Sequence, residues 1–322
     1  MQPLKLYIEP SFFLEEDRHG YTVTSEMKKI WAVELDLLNE FSRVCEKHQL
    51  KWFVHAGTML GAIRHHGFIP WDDDIDVVMP RCDYERLCAL GPQEFKHPYF
   101  YQTEETDRFF ARNFARLRNS NTTAILEWER HFDYPYNQGI FIDIFPMDNI
   151  PDDLEERKKF FENVMYNHSM SWQMRNYVYF FRQEKGIGAV KYLKRYGKHL
   201  LYKYIQRKKR DYVRYFNKCD EELQKYNDQL TGWVGESVIP PLGRWVWKRE
   251  WVSQVDWVPF EMIRVPVPTG YEGCLESGFG SNWRTPIHAA TMHGAVFFDA
   301  EAPYTKYLKI TKKYNHICTI TE

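Results

Sequence analysis

The sequence predicts an α+β protein, a mixed sheet flanked by helices and carrying a helical insertion or subdomain. Three observations lead there. Residues 24–50 place Met27, Ile30, Trp31, Leu35, Leu38, Phe41 and Cys45 at helical spacing. Short apolar runs near 74–79, 109–118 and 138–145 have the length of strands. From Pro151 to about residue 230 the pattern turns mainly helical and breaks from that of the sheet.

Taken in order, the first helix has Thr24 or Ser25 as its N-cap. A strand, Lys51 to His55, then leads into Gly57-Thr58-Met59-Leu60-Gly61, a small-residue turn that opens a short helix. Free N–H groups at such a helix start suit a phosphate. Next comes Pro70-Trp71-Asp72-Asp73-Asp74-Ile75-Asp76-Val77-Val78. On a strand of period two, Asp74 and Asp76 share one face while Ile75 and Val77 share the other. Neighbouring ionised carboxylates repel, so a fold that holds them side by side supplies a cation. Oxygen ligands of this kind suit magnesium or manganese rather than zinc.

The competing reading is a solvated acidic turn. Three features weigh against it. The acids are embedded between Phe68-Ile69-Pro70-Trp71 and Val77-Val78-Met79, and the glycine turn lies one helix upstream. A third acid, Asp143, sits within the apolar run Ile140 to Phe145, where it is expensive unless paired, hydrogen-bonded or bound to a metal.

Arg112, Arg116 and Arg118 alternate on the strand expected over 109–118 and should share one face. Arginine forks suit phosphate oxygens; the alternative is ion pairing with Glu104, Glu105 or Asp107. Arg64 has the same two choices, phosphate or the Asp72–Asp73 turn. His55, His65, His66 and His131 are read as structural, and Trp71 and Trp128 as core packing rather than base-stacking rings.

Pro151-Asp152-Asp153 marks a helix start. The helical stretch beyond it is strongly basic from Lys185 to Lys218, including Lys208-Lys209-Arg210, with almost no acids. Leu193, Tyr196, Leu200, Leu201, Tyr204 and Ile205 recur through it. It reads either as contact with an anionic membrane surface or charged glycan, or as a solvated helix whose long cations cover apolar surface. Pro240, Pro241 and Gly243 mark a loop, after which a strand over Met262 to Val267 and a helix near 270–279 return to the core. The expected organisation is a catalytic core over 1–150, a basic helical subdomain over 151–232 and a segment over 233–322 that completes the core.

Composition narrows the function. Lys plus Arg (43) nearly balances Asp plus Glu (44), so no overall charge steers the chain to nucleic acid. No apolar run approaches the roughly 18–20 residues of a membrane span, and the first residues lack a signal-peptide pattern. Cys45, Cys82, Cys88, Cys219, Cys274 and Cys318 are scattered, against a disulfide framework or a zinc module. A cytoplasmic protein, peripheral at most to the inner face of the membrane, is the expectation.

Gly-Thr-x-Leu-Gly-Ala-Ile-Arg, Gly-Phe-Ile-Pro-Trp-Asp-Asp-Asp-Ile-Asp-Val and Ile-Asp-Ile-Phe-Pro-x-Asp together resemble the LicD family of phosphotransferases. That family includes bacterial phosphocholine transferases and has the fukutin-related ribitol-phosphate transferases as relatives. The resemblance runs from about 45 to 150 and resumes weakly at Tyr271, Leu275, Gly280 and Trp283. It implies a nucleotidyltransferase-like fold with a metal on Asp74, Asp76 and Asp143 and a phosphate at Gly57 and Thr58. It also puts a cation followed by an Asn/Asp-x-x-Thr-Thr turn at Arg112 to Thr123, suggesting a nucleotide-phosphate contact. The implied reaction is metal-dependent transfer of a phospho-alcohol group, phosphocholine favoured, from a cytidine diphosphate (CDP) alcohol. Its acceptor would be a hydroxyl of a cell-surface glycan or its lipid-linked precursor. Two alternatives stay open: a nucleotidyltransferase releasing pyrophosphate, and a non-catalytic nucleotide- or glycan-binding protein.

Overall fold

A small hairpin, β1 (Glu16–Arg18) and β2 (Tyr21–Val23), leads into the long helix α1 (Ser25–Lys47). In this computed structural model the described residues are 3–129, 134–179, 188–207, 211–238, 244–288 and 294–307. His131, the Lys208 to Arg210 cluster, Pro240, Pro241, Gly243 and Cys318 lie outside them. Of the two expected caps Thr24 serves, its Oγ1 accepting from the Met27 N–H at 3.2 Å. α1 packs on the central sheet and is buried on most of its surface, acids included. Asp36, for instance, accepts from the Lys5 and Leu6 N–H groups and from the Tyr99 hydroxyl, so its charge is met by donors.

The sheet is built by β3 (Phe53–Val54), β4 (Asp76–Pro80), β5 (Tyr99–Gln102), β6 (Ala115–Asn119), β8 (Ile140–Ile150), β9 (Trp233–Gly235) and β10 (Val246–Lys248). Helix α2 (Ala56–His65) separates β3 from β4, and α3 (Arg81–Glu94) follows β4. β4 and β8 run parallel, while β3–β4, β5–β6, β6–β8, β8–β9 and β9–β10 are antiparallel. β8 is the axis. One edge pairs with β4; the other pairs first with β6 at Ile140 to Ile144 and then with β9 at Asp148 to Ile150. A separate ribbon joins β7 (Thr123–Leu126) to β13 (Val296–Asp299).

Three expected strands are shorter than their patterns, β3 covering only Phe53–Val54 of the expected Lys51 to His55. β4 begins at Asp76, so Asp74 precedes the ladder rather than sitting in it. The alternation still holds in burial: Ile75 and Val77 are buried, Asp74 and Asp76 half-buried. β6 begins only at Ala115, because Phe109 and Ala111 adopt positive φ (73° and 49°), which a strand cannot carry. Their N–H groups are held by the Glu104 carboxylate. Arg112 therefore lies in an irregular segment.

Helices α4 (Leu154–Met174), α5 (Ala189–Arg207) and α6 (Tyr212–Gln224) follow β8. α4 starts where expected, with the Asp153 carboxylate accepting from the N–H groups of Glu155 and Glu156. After β10 come the hairpin β11 (Val255–Phe260) and β12 (Ile263–Pro268) and the helix α7 (Tyr271–Phe279). One apolar core runs from Val23 through the sheet to Ala300. A second, tyrosine-rich cluster joins Phe109, Tyr134 and Tyr136 to Met174, Tyr202, Tyr212 and Tyr215. No helix among the described residues is long and apolar enough to cross a membrane.

Candidate active site

The register of four strands sets Asp76, Asp143, Arg116 and Gln102 in one line across the sheet. Register partners project to the same face, so Asp143 stands on the same side as Asp76. Arg116 grips Asp143 with a buried fork, Nε to Oδ1 at 2.5 Å and Nη2 to Oδ2 at 3.1 Å. Its guanidinium also lies 3.6 Å from the centre of the Phe141 ring. Burial alone would weaken the Arg116 charge; Asp143 more than restores it.

The other two arginines are also spent internally. Arg112 donates to Glu129 at 2.9 Å, and Arg118 donates to the Gln102 side chain and the Gly139 carbonyl. Burial, and then the Arg116 charge, pull Arg118 down to about 9. The ion-pair alternative thus describes Arg112 and Arg116, with Glu129 and Asp143 as the carboxylates in place of Glu104, Glu105 or Asp107. None of the three arginines lines the cavity beside the acids.

That cavity, about 330 Å³, opens over the N-terminal turn of α2. Its lining includes Gly57, Arg64, Asp72, Asp74 and Asp76 together with Arg244, Trp245, Phe279 and Trp283. Several contacts shape the acidic part. Trp31, stacked on Phe68 at 4.5 Å, donates from Nε1 to the Asp72 carbonyl at 2.9 Å and so fixes the acidic turn to α1. The Thr58 hydroxyl is buried and accepts from the Asp76 N–H at 2.8 Å, so it anchors the start of β4. Gly57 lets the Asp72 carboxylate lie close to α2: a Cβ there would come within 2.5 Å of Asp72 Oδ2 and displace it. Arg64 donates from Nη1 to the Trp283 carbonyl at 2.9 Å, tying α2 to the aromatic wall.

Carboxylate oxygens of Asp72, Asp73 and Asp74 lie within 4.8 Å of one another, and all three residues are half-buried. An all-carboxylate donor set of this density fits a hard divalent cation such as magnesium or manganese. Asp72 and Asp73 were not among the expected ligands, although the run of three consecutive aspartates was the available signal. The aromatic wall was the larger omission. Arg244, Trp245 and Phe279 carry no local motif; Trp245 meets Phe279 edge-on at 5.4 Å only because Gly278 leaves space beneath its ring.

The described histidines of the expected set behave structurally. His55 is 2 % exposed, boxed by Phe145, Trp245 and Trp247, and burial lowers its pKa to about 3. Burial, followed by the Arg64 charge, lowers His65 to about 4; its Nε2 accepts from Arg64 Nε. His66 closes α2 with a left-handed φ of 54°. Between the unfolded His value near 6.5 and about 3, only the unfolded chain protonates at residue 55, so stability falls as pH falls through that window. His55→Phe should therefore reduce the loss of unfolding free energy between pH 7 and pH 5 by about 2 kcal/mol. Urea titrations at the two pH values measure it; equal losses in both proteins would show that His55 is not held neutral.

Residues 49–184 match the profile described as LicD/FKTN/FKRP, nucleotidyltransferase domain. Over that stretch the chain is similar to a LicD family domain. The lipopolysaccharide cholinephosphotransferase LicD of Haemophilus influenzae is 34% identical over 133 residues, 39% of this chain and 48% of that protein. An uncharacterized protein of Rickettsia prowazekii is 28% identical over 90 residues, 26% of this chain and 34% of its own length. The chain thus spans less than half the length of these relatives. The matched stretch contains α2, the acidic turn, Arg116 and Asp143, whereas Arg244, Trp245, Phe279 and Trp283 come from beyond it.

Proposed function

We propose that the protein transfers a phospho-alcohol group, phosphocholine first, from a CDP-alcohol to a hydroxyl of a glycan or its lipid-linked precursor. The observation that carries this is the cavity whose lining combines Asp72, Asp74 and Asp76 with Trp245, Phe279 and Trp283. A quaternary ammonium group is held well by aromatic faces and carboxylates together, and the Haemophilus relative is named for cholinephosphate transfer to lipopolysaccharide. The residues assigned to a divalent cation are Asp74, Asp76 and Asp143, with Asp72 and Asp73 adjoining.

When bound, the cation supplies neutralisation of the charge on the diphosphate. The remaining work belongs to side chains of this chain. Arg64 and Arg244, both in the cavity wall, offer donors to phosphate oxygens. Arg116 orients Asp143 through its fork to both carboxylate oxygens. Asp76 takes the proton of the acceptor hydroxyl as its oxygen attacks the phosphorus bearing the alcohol. The bond from that phosphorus to the bridging oxygen breaks, and cytidine monophosphate (CMP) leaves.

The test supplies CDP-choline, CDP-ribitol, CDP-glycerol or cytidine triphosphate with magnesium or manganese and a lipopolysaccharide or lipid-linked glycan acceptor. Released nucleotide and acceptor mass are then measured. CMP release with a phosphocholine mass increment is the expected outcome. Pyrophosphate release with a nucleotide increment would replace this reading with nucleotidyl transfer, and donor binding without any product would reduce the site to a binding module.

A further inference from the structure

Helix α5 buries Tyr202 against the protein and turns an apolar ridge the other way. Val190, Leu193, Leu200 and Leu201 are 69%, 64%, 49% and 53% exposed. At about 100° per residue, Leu193 and Leu200 project within about 20° of directly opposite Tyr202. Lys203 and Arg207 fall on one flank of this ridge, and Lys194 and Lys198 on the other, all four exposed. The stretch 188–207 holds six Lys or Arg and no Asp or Glu.

We infer that this outward face of α5 docks on an anionic lipid surface. An aliphatic ridge bordered on both sides by cations matches the boundary between acyl chains and negatively charged headgroups. A second copy fits poorly, because two such faces laid together would oppose their lysine rows with no carboxylate in either helix to answer them. A glycan offers nothing to four aliphatic side chains. A solvated helix would leave this ridge in water, whereas single scattered apolar residues are the usual surface pattern.

Flotation of the full chain with vesicles tests the inference. With phosphatidylglycerol in phosphatidylcholine, binding is expected to be at least about tenfold above that to phosphatidylcholine alone and to fall steeply with salt. The triple variant Leu193→Asn, Leu200→Asn, Leu201→Asn changes only exposed positions and should lower vesicle binding by at least about tenfold with an unchanged melting temperature. Lys194→Glu with Lys203→Glu should do the same by reversing the charge. Hydrogen exchange on the unaltered protein supplies an independent readout, with amides of 189–207 gaining protection on anionic vesicles alone. Equal recovery with neutral vesicles, full binding by the triple variant, or no added protection would each overturn the proposal. A dimer in vesicle-free solution that the leucine substitutions dissolve would assign the face to a second copy. Binding of soluble glycan that the lysine reversals abolish, without vesicle binding, would assign it to an acceptor.

Discussion

Asp76→Asn is expected to lower CMP release by about a hundredfold or more while leaving the chain folded, and Asp74→Asn to behave alike. Both acids line the cavity, and Asp76 is the register partner of Asp143. Either substitution keeps the size of the side chain and removes one charge from a crowded row. The metal-free protein should then melt at the same temperature or slightly higher, since like-charge repulsion is relieved. Turnover, divalent-ion dependence and thermal melting measured on the same preparations separate the effects. Near-normal turnover by a folded Asn variant would remove the acids from the chemistry.

Arg116→Met should destabilise the fold by about 3–5 kcal/mol, because it strands the Asp143 carboxylate in a buried site. Asp143→Asn strands the arginine instead and should also destabilise. The double variant should recover part of the combined loss, giving a coupling energy of the kind found for groups in direct contact. Urea unfolding of the four proteins measures it. The sequence left Arg116 two roles, an ion pair or, as the family resemblance implies, a grip on a donor phosphate. A rise in donor KM at unchanged stability would restore that role and displace the positioning role argued here.

The contrast between these residues shows how far the chain could be read. Asp76 and Asp143 were legible because a charged residue inside a β-branched run is a local conflict that needs a local remedy. Their common face was an expectation carried by the family resemblance, and the register of Asp76 with Asp143 supplies it in the structure. What Arg116 touches was not legible. Alternation gives the face of a side chain, but its partner depends on which strand lies alongside, and β6 was expected to begin six residues too early. Phe109 and Ala111, with positive φ, ended that strand without any glycine to announce it. The aromatic wall was hidden for a different reason. Trp245 lines the same cavity as Asp76 although the two are separated by about half the length of the chain, a meeting made by tertiary packing with no trace in local periodicity. α1 was the clearest element, because one long apolar period states its face and the adjoining Thr24 and Ser25 place its start to within a residue.

The strand β8 has a consequence for how this protein can be divided. Its second half hydrogen-bonds to β9, which arrives more than eighty residues later and beyond the end of the LicD family match. A fragment cut at the limits of that match would expose an unpaired strand edge with Ile150 on it, in the middle of what should be a closed interior. Such an edge recruits other chains. In the whole chain this edge waits, during synthesis, for a distant partner before the sheet is complete, and such non-local pairing slows folding. The stretch that evolution keeps recognisable and the unit that folds are therefore different objects here. A boundary drawn for expression or for domain exchange belongs after the last segment that lines the cavity, near the end of the β7–β13 ribbon, and not where the sequence likeness fades.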